Sequence, residues 1–138
     1  MTDAELAAAI VAQAPDAIIV ADVEGRIRSW NRAAERLFGW RADDVMGGSL
    51  DVIIPERLRQ AHWDAYFRAI RSGATTQGGR AMTTRSMRSD GSRLYVEMSF
   101  SLLADGAAQV VGALAIARDV TARHEAERQQ RAGNGDAG

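Results

Sequence analysis

From Arg93 to Leu102 apolar and polar residues alternate without a break: Leu94, Val96, Met98, Phe100 and Leu102 interleave with Arg93, Tyr95, Glu97, Ser99 and Ser101. Side chains on a strand point to opposite faces in turn, so this period of two predicts a half-buried strand with one face on a core. Residues 78–88 read as a strand before it, joined through Ser89-Asp90-Gly91. After it, Asp105-Gly106 leads into a strand over 109–118. Turn chemistry at both joints predicts a three-stranded meander.

Upstream, residues 17–22 form a short apolar run, Glu24-Gly25 supplies a turn, and residues 26–30 form a second β-like run, which together predict a hairpin. Thr2 and Glu5 make a capping-box pattern at the head of a helix ending near Gln13. Asn31 is placed as the N-cap of a helix over 32–38 that Gly39 closes, and residues 42–45 suit one further helical turn. Pro55 is expected to open the longest helix, which runs to about Arg71 and stops at Ser72-Gly73. Beyond Val120 a polar helix is expected, followed by a flexible tail over 132–138. Two strands and then three, with helices between, predict an α+β domain whose helices cover one face of an antiparallel sheet.

Composition narrows the chemistry. The 138 residues carry a net charge of −1, 46% are hydrophobic and 25% charged, as expected of one globular domain. No apolar run reaches the roughly 18 residues of a membrane span, and the acidic N-terminus does not resemble a secretory signal, so a cytoplasmic location is expected. Cysteine is absent, which excludes disulfides, thiolate metal sites and a covalent flavin–cysteine adduct. All 17 basic residues are arginine, and without a lysine amine no side-chain Schiff base can form. No nucleophile–base set, phosphate-binding glycine loop or basic recognition helix assembles, so neither an enzyme nor a nucleic-acid-binding protein is expected.

Of the two histidines, His124 sits in the polar terminal helix and reads as a solvated surface residue. His62 shares a four-residue spacing with Leu58, Tyr66 and Ile70, which places its imidazole on an apolar stripe facing the core. A histidine there serves either as a core residue bonded to a backbone carbonyl or as a ligand. From Pro55 to Arg93, eight arginines (57, 59, 68, 71, 80, 85, 88 and 93) stand against three acids (56, 64 and 90), a solvated basic face or a rim for carboxylates.

Three segments carry a family resemblance. APDAIIVADVEGRIRSWNRAAERLFGW, the Ser89-Asp90-Gly91-Ser92 turn and VVGALAIARDVTARHEAE resemble the opening hairpin, middle turn and closing strand of a PAS domain, over roughly Pro15 to Thr121. The resemblance implies a five-stranded antiparallel sheet with helices on one face, flanked by N- and C-terminal helices. It also implies a ligand cavity between sheet and helices and a sensory role. Residues 1–14 would then be an N-terminal helix making a dimer contact, 15–121 the sensor domain, and 122–138 a polar helix and tail.

PERLRQAHWDAYFRAIRSGATT is similar to the corresponding helix of the haem-binding, oxygen-sensing PAS domains of the FixL type. This similarity implies haem b with His62 as the proximal iron ligand and Arg68 on a propionate. Tyr66, Met98, Phe100 and Arg80 would lie about the pocket. The chain departs from that type in two places, with Met82 where a distal arginine stands and Thr76 where a second propionate-contacting histidine stands. Gln77 falls with Met98 and Phe100 at the distal positions. Met82 is therefore a candidate second axial ligand, Met98 is another, Arg80 could donate to a bound ligand, and carbon monoxide, nitric oxide or redox sensing ranks at least level with oxygen. The expected partners are a second copy of the chain and a separate signalling protein, a histidine kinase or regulator. The alternative is a PAS dimerisation module that is empty or takes a small organic ligand, with His62 a core residue.

Overall fold

The computed structural model describes residues 1–75 and 78–136, with side chains described through residue 133. The elements run α1 (Asp3–Gln13), β1 (Ala17–Asp22), β2 (Ile27–Trp30), α2 (Arg32–Phe38), α3 (Ala42–Val45), two 3-10 turns (Leu50–Ile53 and Glu56–Leu58), α4 (Arg59–Ser72), β3 (Met82–Met87), β4 (Arg93–Ala104), β5 (Val110–Asp119) and α5 (Thr121–Asp136). The strands form one antiparallel sheet ordered β2-β1-β5-β4-β3. The opening hairpin therefore inserts beside the last strand, and the meander fills the other half.

Local chemistry sets the helix ends. Thr2 Oγ1 accepts from the Glu5 amide at 3.1 Å and the Glu5 carboxylate accepts from the Thr2 amide at 3.0 Å, which completes the capping box of α1. Asn31 caps α2, and the Gly39 amide closes that helix on the Glu35 carbonyl. The alternation in β4 is realised: Leu94 and Val96 are wholly buried, and Met98, Phe100 and Leu102 pack against the same core. That core lies between the sheet and the helices, with Ile27, Phe38, Leu94 and Val96 as its largest fully buried side chains. Each such burial contributes about 1.5–3 kcal/mol.

Four boundaries differ from the sequence expectation. Pro55 opens a 3-10 turn and α4 begins only at Arg59, because the chain must bend before it can lie across the sheet. Arg26 stands outside β2 as an isolated bridge to Ser49. β3 starts at Met82 rather than Gly78, since Gly78 and Gly79 adopt φ of 59° and 81°, which no extended strand contains. The expected tail is helical as far as Asp136. No proline interrupts the backbone ladder there, and each glycine costs only about 1 kcal/mol of helix propensity. No helix among the described residues is long and apolar enough to cross a membrane.

Candidate functional site

α4 is held across the sheet by bonds at both ends of one face. Ser49 caps the first 3-10 turn, which brings Asp51 under the helix. Trp63 Nε1 donates to Asp51 Oδ1 at 2.7 Å, and the Arg59 guanidinium donates to the carbonyls of Ile54 at 3.0 Å and Asp51 at 3.3 Å. One turn on, the buried Tyr66 hydroxyl donates to the Asp22 carbonyl of β1 at 2.6 Å. Burial, with the Asp22 carboxylate adding to it, pushes the Tyr66 phenol up to about 12, so it remains a donor across the physiological range.

His62 is fixed between these two anchors. Its ring lies 4.6 Å from that of Trp63, edge-on, and 5.9 Å from that of Tyr66. Nδ1 is sealed from solvent and meets no hydrogen-bond partner. Burial depresses the His62 pKa, with the Asp51 carboxylate only partly opposing it, so the imidazole is neutral at neutral pH. The stripe read from the sequence is therefore real, with Leu58, Tyr66 and Ile70 packed on the core beside it. The carbonyl bond expected of a structural histidine is missing.

Opposite α4 the sheet is floored with alanine. Ala17 and Ala21 of β1 and Ala113, Ala115 and Ala117 of β5 all belong to the packed face. In register, Met98 stands beside Ala117 and Phe100 beside Ala115. The Phe100 ring approaches Tyr66 at a centroid distance of 6.0 Å and spans the gap between strand and helix. Sequence reasoning missed this alanine floor, although the every-other-residue alanines of β5 were legible.

Tyr66 links His62, at 5.9 Å, to Phe100, at 6.0 Å, with Met98 packed on the same core, and the other expected site residues lie apart. Arg68 is exposed, roughly 120° around and roughly 9 Å along α4 from His62. Met82 pairs with Met98 at the free end of β3 and shares its face, but it is 46% exposed because β3 is the sheet edge. Arg80 lies before β3 and is exposed, so it does not occupy the strand position expected beside Met82. Thr76 and Gln77 lie outside the described residues. His124 is not solvated as expected, but stacks on Tyr95 at 3.8 Å. No cluster of three metal-ligating side chains occurs among the described residues, and a haem ligand set needs only one imidazole from this face.

A cleft of about 370 Å3 opens beside the helix, lined by Glu24, Gly25, Arg26, Ser49, Trp63 and Phe67. Gly25 makes that packing feasible, since at φ of 83° a Cβ there would meet the Trp63 ring.

The sheet order, with α2 to α4 covering one face, defines the class of small α+β domains built on a roofed antiparallel sheet. The chain belongs to the PAS family: the family model described as the PAS fold matches residues 5–120. It is 34% identical over 95 residues to the sensor protein FixL of Bradyrhizobium diazoefficiens, covering 67% of this chain and 18% of that protein. It is 31% identical over 103 residues to the oxygen sensor protein DosP of Escherichia coli K12, covering 74% of this chain and 12% of that protein. It therefore spans less than a fifth of the length of either relative. Among solved structures, an RNA-binding light-oxygen-voltage receptor superposes with a TM-score of 0.74 at 27% identity, covering 96% of this chain and 37% of that one. The chain is a PAS domain.

Proposed function

We propose that this PAS domain takes haem b through His62 and reports a diatomic gas or redox change at the iron to a separate signalling protein. The observation that carries the reading is the His62 imidazole, which is neutral, packed against Trp63 and Tyr66 and without a partner at its buried nitrogen. Buried polar atoms without partners are rare in native folds, and an unpaired neutral imidazole is the form that ligates iron. The residues present fit such a group in donor chemistry. His62 would hold the iron and the alanine floor would receive the flat ring system, whereas Arg68 lies exposed on another face of α4. When bound, haem would supply an iron centre able to take oxygen, carbon monoxide or nitric oxide. The chain's own part is to hold the imidazole with Trp63 and Tyr66 and to keep water from it with Met98 and Phe100. Met82, on the exposed edge strand, would be the second axial candidate. The similarity to FixL and to the oxygen sensor DosP supports the same reading.

The signal would leave through α5, and α1, whose Leu6 and Ile10 are exposed, would pair with a second copy. Addition of haemin to the purified full chain is expected to give a Soret band that His62→Ala abolishes. Protein that stays colourless with added haemin would overturn the reading.

A second reading rests on the Tyr66–Phe100 contact, which fills the gap between helix and sheet with the chain's own rings. The domain would then be a signalling and dimerisation module that is empty or takes a small ligand. In that case His62→Ala would leave dimerisation and signalling unchanged. This chain has no cysteine for a covalent flavin adduct.

A further inference from the structure

The outward face of the sheet carries a polar junction that sensing at His62 does not use. Odd-numbered residues of β4 point away from α4, and Arg85 of β3 stands directly across from Tyr95, so both project to that outer side. α5 crosses at this point. The Thr121 hydroxyl accepts from the Tyr95 amide at 2.9 Å, the His124 ring stacks on Tyr95 at 3.8 Å and 24°, and Arg128 Nη1 donates to the Tyr95 hydroxyl at 3.5 Å. Glu97, the next outward residue of β4, is bound by Arg123 at 3.2 Å.

Arg85 stands apart from these partnerships. It is half-buried, its Nε is closed off from solvent, and among the described residues it makes no hydrogen bond or ion pair. The acids within reach by register and helix position do not serve it. Glu97 is already paired, and Glu125 and Glu127 on α5 are exposed. The Arg85 Nε is closed off from solvent and no acceptor among the described residues replaces the water it has lost, which native folds seldom tolerate. The guanidinium fork matches the oxygens of a phosphate or a carboxylate. A second fork, that of Arg128, reaches the same tyrosine from α5.

We propose that the junction of β3, β4 and α5 is an oxyanion site, in which Arg85 and Arg128 close on a phosphate or carboxylate group beside Tyr95. The bound anion would tie α5 to the sheet and so set how firmly the terminal helix is held.

The test is an amide-resolved titration of the full chain with inorganic phosphate and, separately, with acetate, each against sodium chloride at matched ionic strength. Saturable shifts at Tyr95, Thr121 and His124 are expected, with affinity weakened at least tenfold by Arg85→Gln and several-fold by Arg128→Gln. Arg85→Lys, which keeps the charge but not the fork, should fall between wild type and Arg85→Gln. Tighter binding of phosphate identifies a phosphate source, and tighter binding of acetate a side-chain or terminal carboxylate. Shifts that sodium chloride reproduces, or that persist unchanged in a folded Arg85→Gln protein, would overturn the proposal. Should Arg85→Gln fail to fold, unchanged affinity in Arg128→Gln would do so.

Discussion

Asn31 and His62 are both polar residues turned toward the interior, and the fold treats them in opposite ways. Asn31 is fully engaged. Its Oδ1 accepts from the amides of Ile18 at 2.9 Å and Ala34 at 3.0 Å, and its Nδ2 donates to the carbonyls of Val11 at 2.8 Å and Asp16 at 3.1 Å. One side chain thereby joins α1, β1 and α2. His62 is only part-buried, yet its inner nitrogen is closed off from solvent and idle. Satisfied polar groups rigidify the part of the molecule that has only to stay folded, and an unsatisfied one marks the part that has something left to bind.

Four substitutions sharpen or break this contrast. Asn31→Ala removes four bonds and strands backbone groups on three elements. It should cost about 3 kcal/mol and lower Tm by about 10 °C, read by thermal unfolding. Loss of under about 1 kcal/mol would mean that Asn31 is no more structural than His62. Gly25→Ala puts a side chain at a positive φ and against Trp63, and a cost of about 2 kcal/mol with altered tryptophan fluorescence is expected.

Tyr66→Phe should cost about 1 kcal/mol at neutral pH and change the alkaline limb of the stability curve. The native phenol titrates near 12 and the unfolded one near 10, so between these values the unfolded chain has released a proton that the native one retains. Wild-type stability therefore falls as pH rises from 10 to 12, and in Tyr66→Phe that decline should flatten. His62→Leu without added haemin should change stability by under about 1 kcal/mol in denaturant unfolding, because no bond at Nδ1 is lost and the volume is kept. A loss near that of Asn31→Ala would show His62 to be a core residue after all.

Most of the architecture was legible, for reasons that particular residues make plain. The capping box at Thr2, the Asn31 cap and the Gly39 stop lie within a turn of the backbone groups they satisfy, so local sequence suffices. The alternation in β4 declares which face is covered, because a shift of one residue would turn every apolar side chain outward. The site was half legible. The four-residue stripe of α4 announced an inward His62, whereas Arg68 and Arg80 lie too far out to join it. Met82 faces the right way, but as a residue of an edge strand it stays largely in solvent. His124 read as a surface residue because its partner Tyr95 is distant in sequence.

What the chain settles by itself is the order, type and covered face of its elements, since propensity, caps and periodicity act over a few residues. Only the tertiary structure decided that Asn31 is saturated while His62 Nδ1 and Arg85 Nε are left without partners. Hydrogen-bond satisfaction depends on which remote carbonyl or carboxylate arrives beside a group when the sheet closes, and no local pattern records that.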